Sequence, residues 1–303
     1  MKKVFVLGSI NYDVVVYTDK MPILGESIIG QGMIANLGGK GANHAIAAKK
    51  IGVDKVFLIS AVGDDDSGHI MLKSIKEHGV DTSGIEVIKG EPSGTCFIIF
   101  NRSAEDNAVI VGNGANLMNA PQKAIDLLKK YARKGDIFIA QLETNLEALY
   151  KGIDFAHELG MYIIINPSPV CEFNKSILSK VDLLILNAAE AKLLTGVNYK
   201  NNNALQEIHD KLKAKSTIVT LGEDGAYLIR DNEIIYQLAI PTNVVDTTCA
   251  GDTFLGALAY RKANGYEIED SLRFAATASS IAVSRKGATQ SVPYLNEILE
   301  LYK

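Results

Sequence analysis

The sequence predicts an α/β protein with a doubly wound, mainly parallel sheet, helices on both faces and a small β-sheet lid. Short runs of Val, Ile and Leu recur along the 303 residues, and most precede a stretch with helical periodicity. This pattern is typical of buried parallel strands joined by crossover helices. The second observation is the composition, 47% hydrophobic and 22% charged, which is that of an ordinary globular protein. The third is a pair of strand-rich regions without helices.

The elements follow from these patterns in chain order. The predicted strands of the main sheet are residues 4–10, 56–61, 136–141, 162–166, 183–186 and 217–221. The predicted helices are residues 41–51, 67–78, 122–132, 145–159 and 205–213. A hairpin is predicted at 226–229 and 233–238, and the chain is expected to be helical from Gly251 onward. We expect residues 1–303 to form one domain.

The two strand-rich regions are residues 14–36 and 94–111. Apolar runs at 14–17, 27–29, 96–100 and 108–111 predict hairpin strands within them. Four strands without helices, drawn from two separated segments, predict a small extra sheet that projects as a lid over a site.

Composition excludes several classes of protein. The net charge of −4, without a block of like charges, argues against nucleic acid or membrane as the main partner and favours small molecules. Three widely spaced cysteines, Cys96, Cys171 and Cys249, predict neither disulfides nor a thiolate metal site, so a cytoplasmic setting is expected. Residues 4–10 after Lys2 and Lys3 are interpreted as a buried first strand rather than a signal peptide. No run reaches the roughly 18 apolar residues of a membrane span.

A glycine-rich turn follows the first lid segment. Gly38, Gly39 and Gly41 permit a close approach of the backbone that side chains would prevent. A dinucleotide-binding GxGxxG motif does not fit, because His44 occupies its last position. A Walker A loop does not fit either, because Lys40 is followed by Gly41 instead of Ser or Thr.

A second cluster, at residues 246–254, precedes an apolar helical run. Successive backbone N–H groups of Cys249, Ala250, Gly251 and Asp252 at a helix start form a potential anion hole. The Asp252 carboxylate is then well placed as a base. The alternative is that Asp252 only caps the helix.

The loops at residues 187–190 and 220–225, each taken alone, predict only a helix start or a tight turn. Together with the segments at 8–11, 38–43 and 246–254, they resemble the ribokinase-like carbohydrate kinases, also called the PfkB family. The resemblance covers nearly the whole chain, from 8–11 to 285–288, and the segments occur in the family's order.

The resemblance implies ATP-dependent phosphorylation of D-ribose at its 5-hydroxyl. It implies Asp252 as the general base, beside the anion hole at 249–252. The sugar-binding positions that it implies are Asn11, Asp13, Gly39, Lys40, Asn43, Glu143 and Asp252. From the residues alone, a strand-edge turn residue is the favoured interpretation of Asp13, and Glu143 is open to the same alternative.

The resemblance also implies a nucleotide site, metal ions and a partner. The nucleotide-binding positions are Asn187, Thr220, Gly222 and Gly225, with Glu190 organising Mg²⁺ and its waters indirectly. A K⁺ site, mostly of backbone carbonyls, is implied at Asp246, Thr248, Ala282, Arg285, Gly287 and Ser291. The family further implies a homodimer that pairs through the lid strands.

Several residues depart from the family or allow another interpretation. Cys249 replaces a small residue and is interpreted as packing beside the anion hole rather than as a reactive thiol. Ala276 replaces a polar residue of some relatives, so we expect no polar nucleotide contact there. Residues 64–66, three aspartates, are interpreted as a helix N-terminus rather than a metal site, and Arg102 as a solvated turn residue rather than a phosphate ligand. The histidines, expected at the surface or on helix faces without a metal role, are His44, His69, His78, His157 and His209.

The alternatives that stay open concern substrate and catalysis. Another acceptor, such as 2-deoxyribose, fructose or a nucleoside, would use the same machinery. A sugar- or nucleotide-binding regulator without catalysis is possible on any enzyme fold. A dinucleotide-dependent oxidoreductase would rest on the α/β alternation alone.

Overall fold

The computed structural model describes residues 1–104, 106–200, 203–231 and 233–302. Within these residues the strands form a nine-stranded sheet and a separate four-stranded sheet. The large sheet consists of β1 (Val4–Leu7), β4 (Val56–Gly63), β5 (Asp81–Ile88), β8 (Ile137–Ala140), β9 (Tyr162–Ile165), β10 (Leu183–Asn187), β11 (Thr217–Thr220), β12 (Ala226–Arg230) and β13 (Glu233–Gln237). Their spatial order is β13-β12-β11-β10-β9-β8-β1-β4-β5. The pairs from β5 to β11 are parallel, whereas β12 and β13 join as an antiparallel hairpin.

Helices cover both faces of this sheet. They are α1 (Lys40–Ile51), α2 (Asp66–Glu77), α3 (Pro121–Tyr131), α4 (Leu146–Leu159), α5 (Ala188–Thr195), α6 (Ala204–Leu212), α7 (Ala250–Ala263), α8 (Leu272–Val283) and α9 (Leu295–Leu301). Side chains of β1 alternate between the two cores, because successive residues of a strand point to opposite faces. Val4 and Val6 belong to the core that includes residues of α1, α7 and α8, whereas Phe5 and Leu7 belong to the core that includes residues of α3, α4 and α6. The predicted fold class is therefore confirmed.

The predicted strands of the large sheet all occur, within a few residues of their expected ends, but one strand was missed. β5 lies at the sheet edge and buries only Gly84 fully, so its sequence lacks the apolar run that marks the inner strands. The C-terminal part is helical from Ala250, as expected. None of the described helices is long and apolar enough to cross a membrane.

The small sheet consists of β2 (Asn11–Thr18), β3 (Gly32–Gly38), β6 (Thr95–Asn101) and β7 (Asp106–Gly112), in the order β3-β2-β6-β7. It is drawn from the two predicted lid segments, which confirms the small lid sheet. The predicted strand at 27–29 is wrong. β2 ends at Thr18 and pairs back from Gly32, so residues 19–31 form the connection and have no strand to pair with. Ile29 is accordingly 96% exposed.

Candidate active site

Asp252 lies in the first turn of α7 and accepts two side-chain hydrogen bonds. Asn43 Nδ2 donates to its Oδ2 at 3.0 Å, and His44 Nε2 lies 2.9 Å from its Oδ1. The N-cap position of α7 is taken by Cys249, whose φ of 65° is left-handed, so Asp252 is the third helical residue. The alternative in which Asp252 merely caps the helix is therefore wrong.

The surroundings of Asp252 favour its ionised form. Burial raises the pKa of Asp252, but the imidazole of His44, the ammonium of Lys40 and the amide of Asn43 outweigh burial. Together they hold the pKa of this carboxyl well below the ordinary value of an aspartate. Asp252 is therefore a carboxylate at neutral pH and can accept a proton.

The start of α7 presents free backbone donors beside this carboxylate. The N–H groups of Ala250 and Thr253 donate to the carbonyls of Thr247 and Cys249. Those of Gly251 and Asp252 have no backbone acceptor among the described residues. Gly251 is exposed, and a Cβ there would meet nothing within 4 Å. Open N–H groups at a helix N-terminus bind anions, so the N–H groups of Gly251 and Asp252 fit the predicted anion hole, whereas that of Ala250, also predicted to belong to it, is already used. The role of this helix start toward phosphate stays a prediction.

The glycine-rich turn brings α1 against the first strand. Gly39 has a φ of 88°, and a Cβ on it would lie 2.7 Å from the Asn11 backbone nitrogen. A Cβ on Gly38 would overlap the carboxylate of Asp13. These two glycines therefore allow the close approach that places Lys40, Asn43 and His44 beside the residues that follow β1.

Asn11 and Glu143, both implied for sugar binding, contact each other. Asn11 Nδ2 donates to Glu143 Oε1 at 3.3 Å, and the hydroxyl of Ser9 also donates to the Glu143 carboxylate. Asn116, which is 1% exposed, donates from Nδ2 to Asn11 Oδ1 at 2.7 Å. These contacts leave the Asn11 amide in one orientation.

Among the residues implied for sugar binding, two buried polar atoms have no partner within the described structure. They are Oδ1 of Asp13 and Oδ1 of Asn43. Burial, the Glu143 carboxylate and the Asp252 carboxylate raise the pKa of Asp13 to about 7. Unsatisfied buried acceptors are rare in native proteins, and they indicate groups that a ligand satisfies.

A cavity of about 480 Å³ opens on the other side of the anion hole. Its lining includes Thr220, Gly222 and Gly225 after β11, Ala276 of α8, and Gly251 of the anion hole. Ala276 presents only a methyl group, as expected from the sequence. The volume suits a nucleotide whose phosphates extend toward α7.

Asn187 and Glu190 are not part of that lining. They form a capping box at the start of α5, in which Asn187 Oδ1 accepts from Glu190 N and Glu190 Oε2 accepts from Asn187 N, each at 2.9 Å. The register pairs Asn187 with Thr220, so the two residues lie side by side at the carboxyl ends of β10 and β11. Their roles toward nucleotide and Mg²⁺ stay predictions.

The residues implied for K⁺ binding lie in the segment before α7 and the segment after α8, and the Asp246 carboxylate contacts both segments. Its Oδ1 accepts from Thr248 N and its Oδ2 from Gly287 N, both at 2.9 Å. Burial raises the pKa of Asp246, but these hydrogen bonds and Lys286 outweigh burial and lower it below the ordinary value. Ser291 Oγ donates to the Ala288 carbonyl at 2.7 Å, and Arg285 N to the Ala282 carbonyl at 3.1 Å. A carboxylate among carbonyl and hydroxyl oxygens is a donor set that fits a hard monovalent cation.

Sequence reasoning missed three members of the cluster. Ser9, Asn116 and His44 are each 1% exposed or less and contact candidate site residues. His44 lies on a helix as expected, but it is wrong to place it at the surface, because α1 packs against α7. His209 is also buried, against Thr217. For His44, the sequence signal that could have indicated a buried role is its position as a polar residue within residues 41–48, a run of mostly small residues.

Three minor interpretations agree with the structure. Burial raises the pKa of the Cys249 thiol well above its ordinary value, which opposes a reactive role. Asp65 caps α2 by accepting from Gly68 N at 2.7 Å, so the aspartates at 64–66 do begin a helix. Arg102 is exposed after β6 and donates to Gln31 Oε1 at 3.2 Å. The predicted turn there includes residue 105, which lies outside the described residues.

The fold, the anion hole and the carboxylate together define a small-molecule kinase, and a family model agrees. The model described as pfkB family carbohydrate kinase matches residues 1–295, so the chain belongs to that family. The oxidoreductase alternative is thereby excluded.

Individual proteins of known name are similar to this chain over nearly its full length. The chain is 35% identical to a protein named ribokinase of Schizosaccharomyces pombe, covering 98% of this chain and 97% of that protein. It is 31% identical to a deoxyribokinase of Salmonella typhi, over 97% of each. The structure of Arabidopsis thaliana ribokinase complexed with ribose and ATP superposes with a TM-score of 0.90, at 28% identity over 100% of this chain and 99% of that one.

Proposed function

We propose that this protein transfers the γ-phosphoryl group of ATP to the 5-hydroxyl of D-ribose, giving ribose 5-phosphate and ADP. The observation that carries the proposal is the pair of unpartnered, buried acceptors, Asp13 Oδ1 and Asn43 Oδ1, in the cluster around Asp252. A polyhydroxylated sugar supplies the hydroxyl donors that these atoms lack. The relatives named ribokinase, one of them solved with ribose and ATP, support ribose as that sugar.

Recognition of the sugar depends on acceptors in fixed positions. Asp13, Glu143 and the Asn43 carbonyl accept hydrogen bonds from sugar hydroxyls, while Asn11 and Lys40 complete the site. A site built to bind hydroxyls rejects an analogue that lacks one of them, because a buried polar atom is then left unpaired. We therefore expect ribose to be preferred to 2-deoxyribose.

Transfer needs one base and one anion site. Asp252 accepts the proton of the 5-hydroxyl while the oxygen of that hydroxyl bonds to the γ-phosphorus. At the same time the bond from the γ-phosphorus to the bridging oxygen of ADP breaks. The N–H groups of Gly251 and Asp252 stabilise negative charge on the transferred group. The proton ends on Asp252 and passes to solvent.

Metal ions are proposed at the two sites described. Mg²⁺ bound with ATP would neutralise phosphate charge, and Glu190, whose Oε1 is not used in the capping box, would orient its waters. A K⁺ ion would be held at Asp246, with carbonyls of Thr248, Ala282, Arg285 and Gly287 and the hydroxyl of Ser291. Because Asp246 joins these loops directly before α7, we expect the cation to support the shape of the anion hole.

The lid strands are proposed to pair two copies of the chain. Register places Ala35, Val14, Phe97 and Ile110 in one row across the small sheet, on the face opposite Asp13. Phe97 is 52% and Ile110 65% exposed. Apolar residues at such exposure on a sheet with open edges favour association with a second copy.

The test measures ADP release with MgATP and K⁺ on ribose, 2-deoxyribose, fructose and adenosine, with the position of phosphate on the product read by ³¹P NMR. We expect the highest kcat/KM on ribose and phosphate on its 5-oxygen. Asp252→Asn protein, purified identically, controls for contaminating kinases.

Preference for another acceptor would contradict ribose but retain the transfer chemistry. Deoxyribose is the first alternative to check, since one relative is named deoxyribokinase. Sugar binding without transfer to any acceptor would instead support a binding protein that has lost catalysis.

A further inference from the structure

His44 makes a contact that the chemistry above does not use. It lies on α1, is 1% exposed, and places Nε2 2.9 Å from Oδ1 of Asp252. Its other ring nitrogen, Nδ1, lies 2.7 Å from Nε2 of Gln141. The imidazole therefore bridges the carboxylate to the residue that follows β8.

The contact with Asp252 fixes where a ring proton must lie. A carboxylate can only accept a hydrogen bond, so the nitrogen that faces Asp252, Nε2, carries a proton, while the buried amide of Gln141 lies against Nδ1. A Cβ on Gly8 would overlap Gln141 Oε1, so the glycine leaves the space that the amide occupies. His44 therefore donates its Nε2–H to Oδ1 of Asp252.

Both oxygens of the carboxylate are thereby held from neighbouring residues of one helix. Asn43 donates to Oδ2 at 3.0 Å and His44 to Oδ1. Two donors at the two oxygens fix the rotation of the carboxylate, which one donor cannot do. Each oxygen keeps a further lone pair for the substrate hydroxyl.

We propose that His44 is a positioning residue, whose Nε2–H holds the Asp252 carboxylate in the orientation that accepts the substrate proton. The inference rests on the proposed role of Asp252 as the base. It follows the general arrangement in which a base is oriented by a third group. Because His44 is 1% exposed and faces Asp252, we expect it to act on the transfer step and not on sugar or nucleotide binding.

The kinetic test compares two substitutions of the buried ring. His44→Leu keeps most of the volume and removes the donor, while His44→Gln keeps an N–H near the position of Nε2. We expect His44→Leu to lower kcat about tenfold to a hundredfold, because small errors in the position of a catalytic group are that costly. KM for ATP and for sugar should stay within about twofold of wild type. His44→Gln should recover most of kcat.

His209→Gln is the matched control, since it changes a buried histidine far along the chain, beside Thr217. It should leave kcat unchanged, whatever it does to the melting temperature. A kcat for His44→Leu within twofold of wild type, or equal losses in His44→Leu and His44→Gln, would overturn the proposal.

A second measurement does not depend on turnover. Long-range ¹H–¹⁵N spectra of the histidine rings, with the His44 signals assigned by their loss in His44→Gln, report which nitrogen carries the proton. We expect a proton on Nε2 at about pH 8. A ring protonated on Nδ1 alone would overturn the proposal even if the acceptor sugar proves to be another one. Wild-type protein that phosphorylates no ribose but shows Nε2–H would count against the proposed substrate alone.

Discussion

Asp13 should make the stability of the ligand-free protein depend on pH, and Asp13→Asn should remove that dependence. Burial, Glu143 and Asp252 raise the pKa of Asp13 from 3.8 to about 7. The native state therefore binds a proton that the unfolded chain has already released between these two pKa values. By linkage, the free energy of unfolding falls as the pH rises through this window and levels off above about pH 7.

The size of the effect follows from the two pKa values. A rise from 3.8 to about 7 corresponds to a loss of stability on the order of 4 kcal/mol once Asp13 is ionised in both states. Roughly 2–3 kcal/mol of that loss develops between about pH 5 and pH 8. Asn has the shape of Asp without its titration, so the variant lacks this component.

The assay is urea unfolding of wild type and Asp13→Asn at about pH 5 and about pH 8, without sugar or nucleotide. When the pH-dependent change in unfolding free energy of the variant is subtracted from that of wild type, the contributions of all other titrating groups that keep their environment cancel. We expect wild type to lose about 2–3 kcal/mol more than the variant between the two pH values. Equal losses in the two proteins would refute the raised pKa. Sugar, whose hydroxyls donate to the ionised carboxylate, should release a proton on binding near neutral pH, as read by calorimetry in two buffers.

Three further predictions concern the lid and its junction with the main sheet. Gly38→Ala places a Cβ on the Asp13 carboxylate and should raise KM for sugar at least tenfold. Gly112→Ala is the control, because its Cβ would lie 3.6 Å from the nearest atom, and it should leave KM unchanged. Equal KM values in the two variants would contradict the packing. Asn116→Asp cannot donate to Asn11 Oδ1, so steady-state kinetics should show a KM for sugar about tenfold higher with a smaller change in kcat, and an unchanged KM would argue against this support. Phe97→Lys should shift the mass found by light scattering from dimer to monomer; a monomeric wild type would remove the proposed dimer.

The sequence predicted what depends on local pattern. Inner strands such as β1 and β9 are continuous apolar runs, so their positions follow from composition alone. The β5 strand could not be found in this way, because an edge strand leaves most of its residues only partly buried. The residues at 27–29 were misleading for the opposite reason, since an apolar run without a partner strand remains a loop.

The site shows the same limit. Gly39 and Asp252 were identified because glycine turns and helix starts carry local signals, and the family resemblance placed them together. His44 was not assigned to the site, because its contact with Asp252 spans 208 residues and exists only through the packing of α1 on α7. The Asn116 contact with Asn11 likewise joins the segment that follows the last lid strand to the start of β2, 105 residues earlier.

The central claim is that Asp252 accepts the proton of the sugar hydroxyl. The most direct measurement is kcat for ribose in Asp252→Asn, with ribose binding followed separately by calorimetry and Asp64→Asn, an exposed aspartate, as the matched control. We predict that kcat falls at least about 100-fold while ribose still binds and the control is unaffected. A variant that turns over ribose at nearly the wild-type rate would contradict the account.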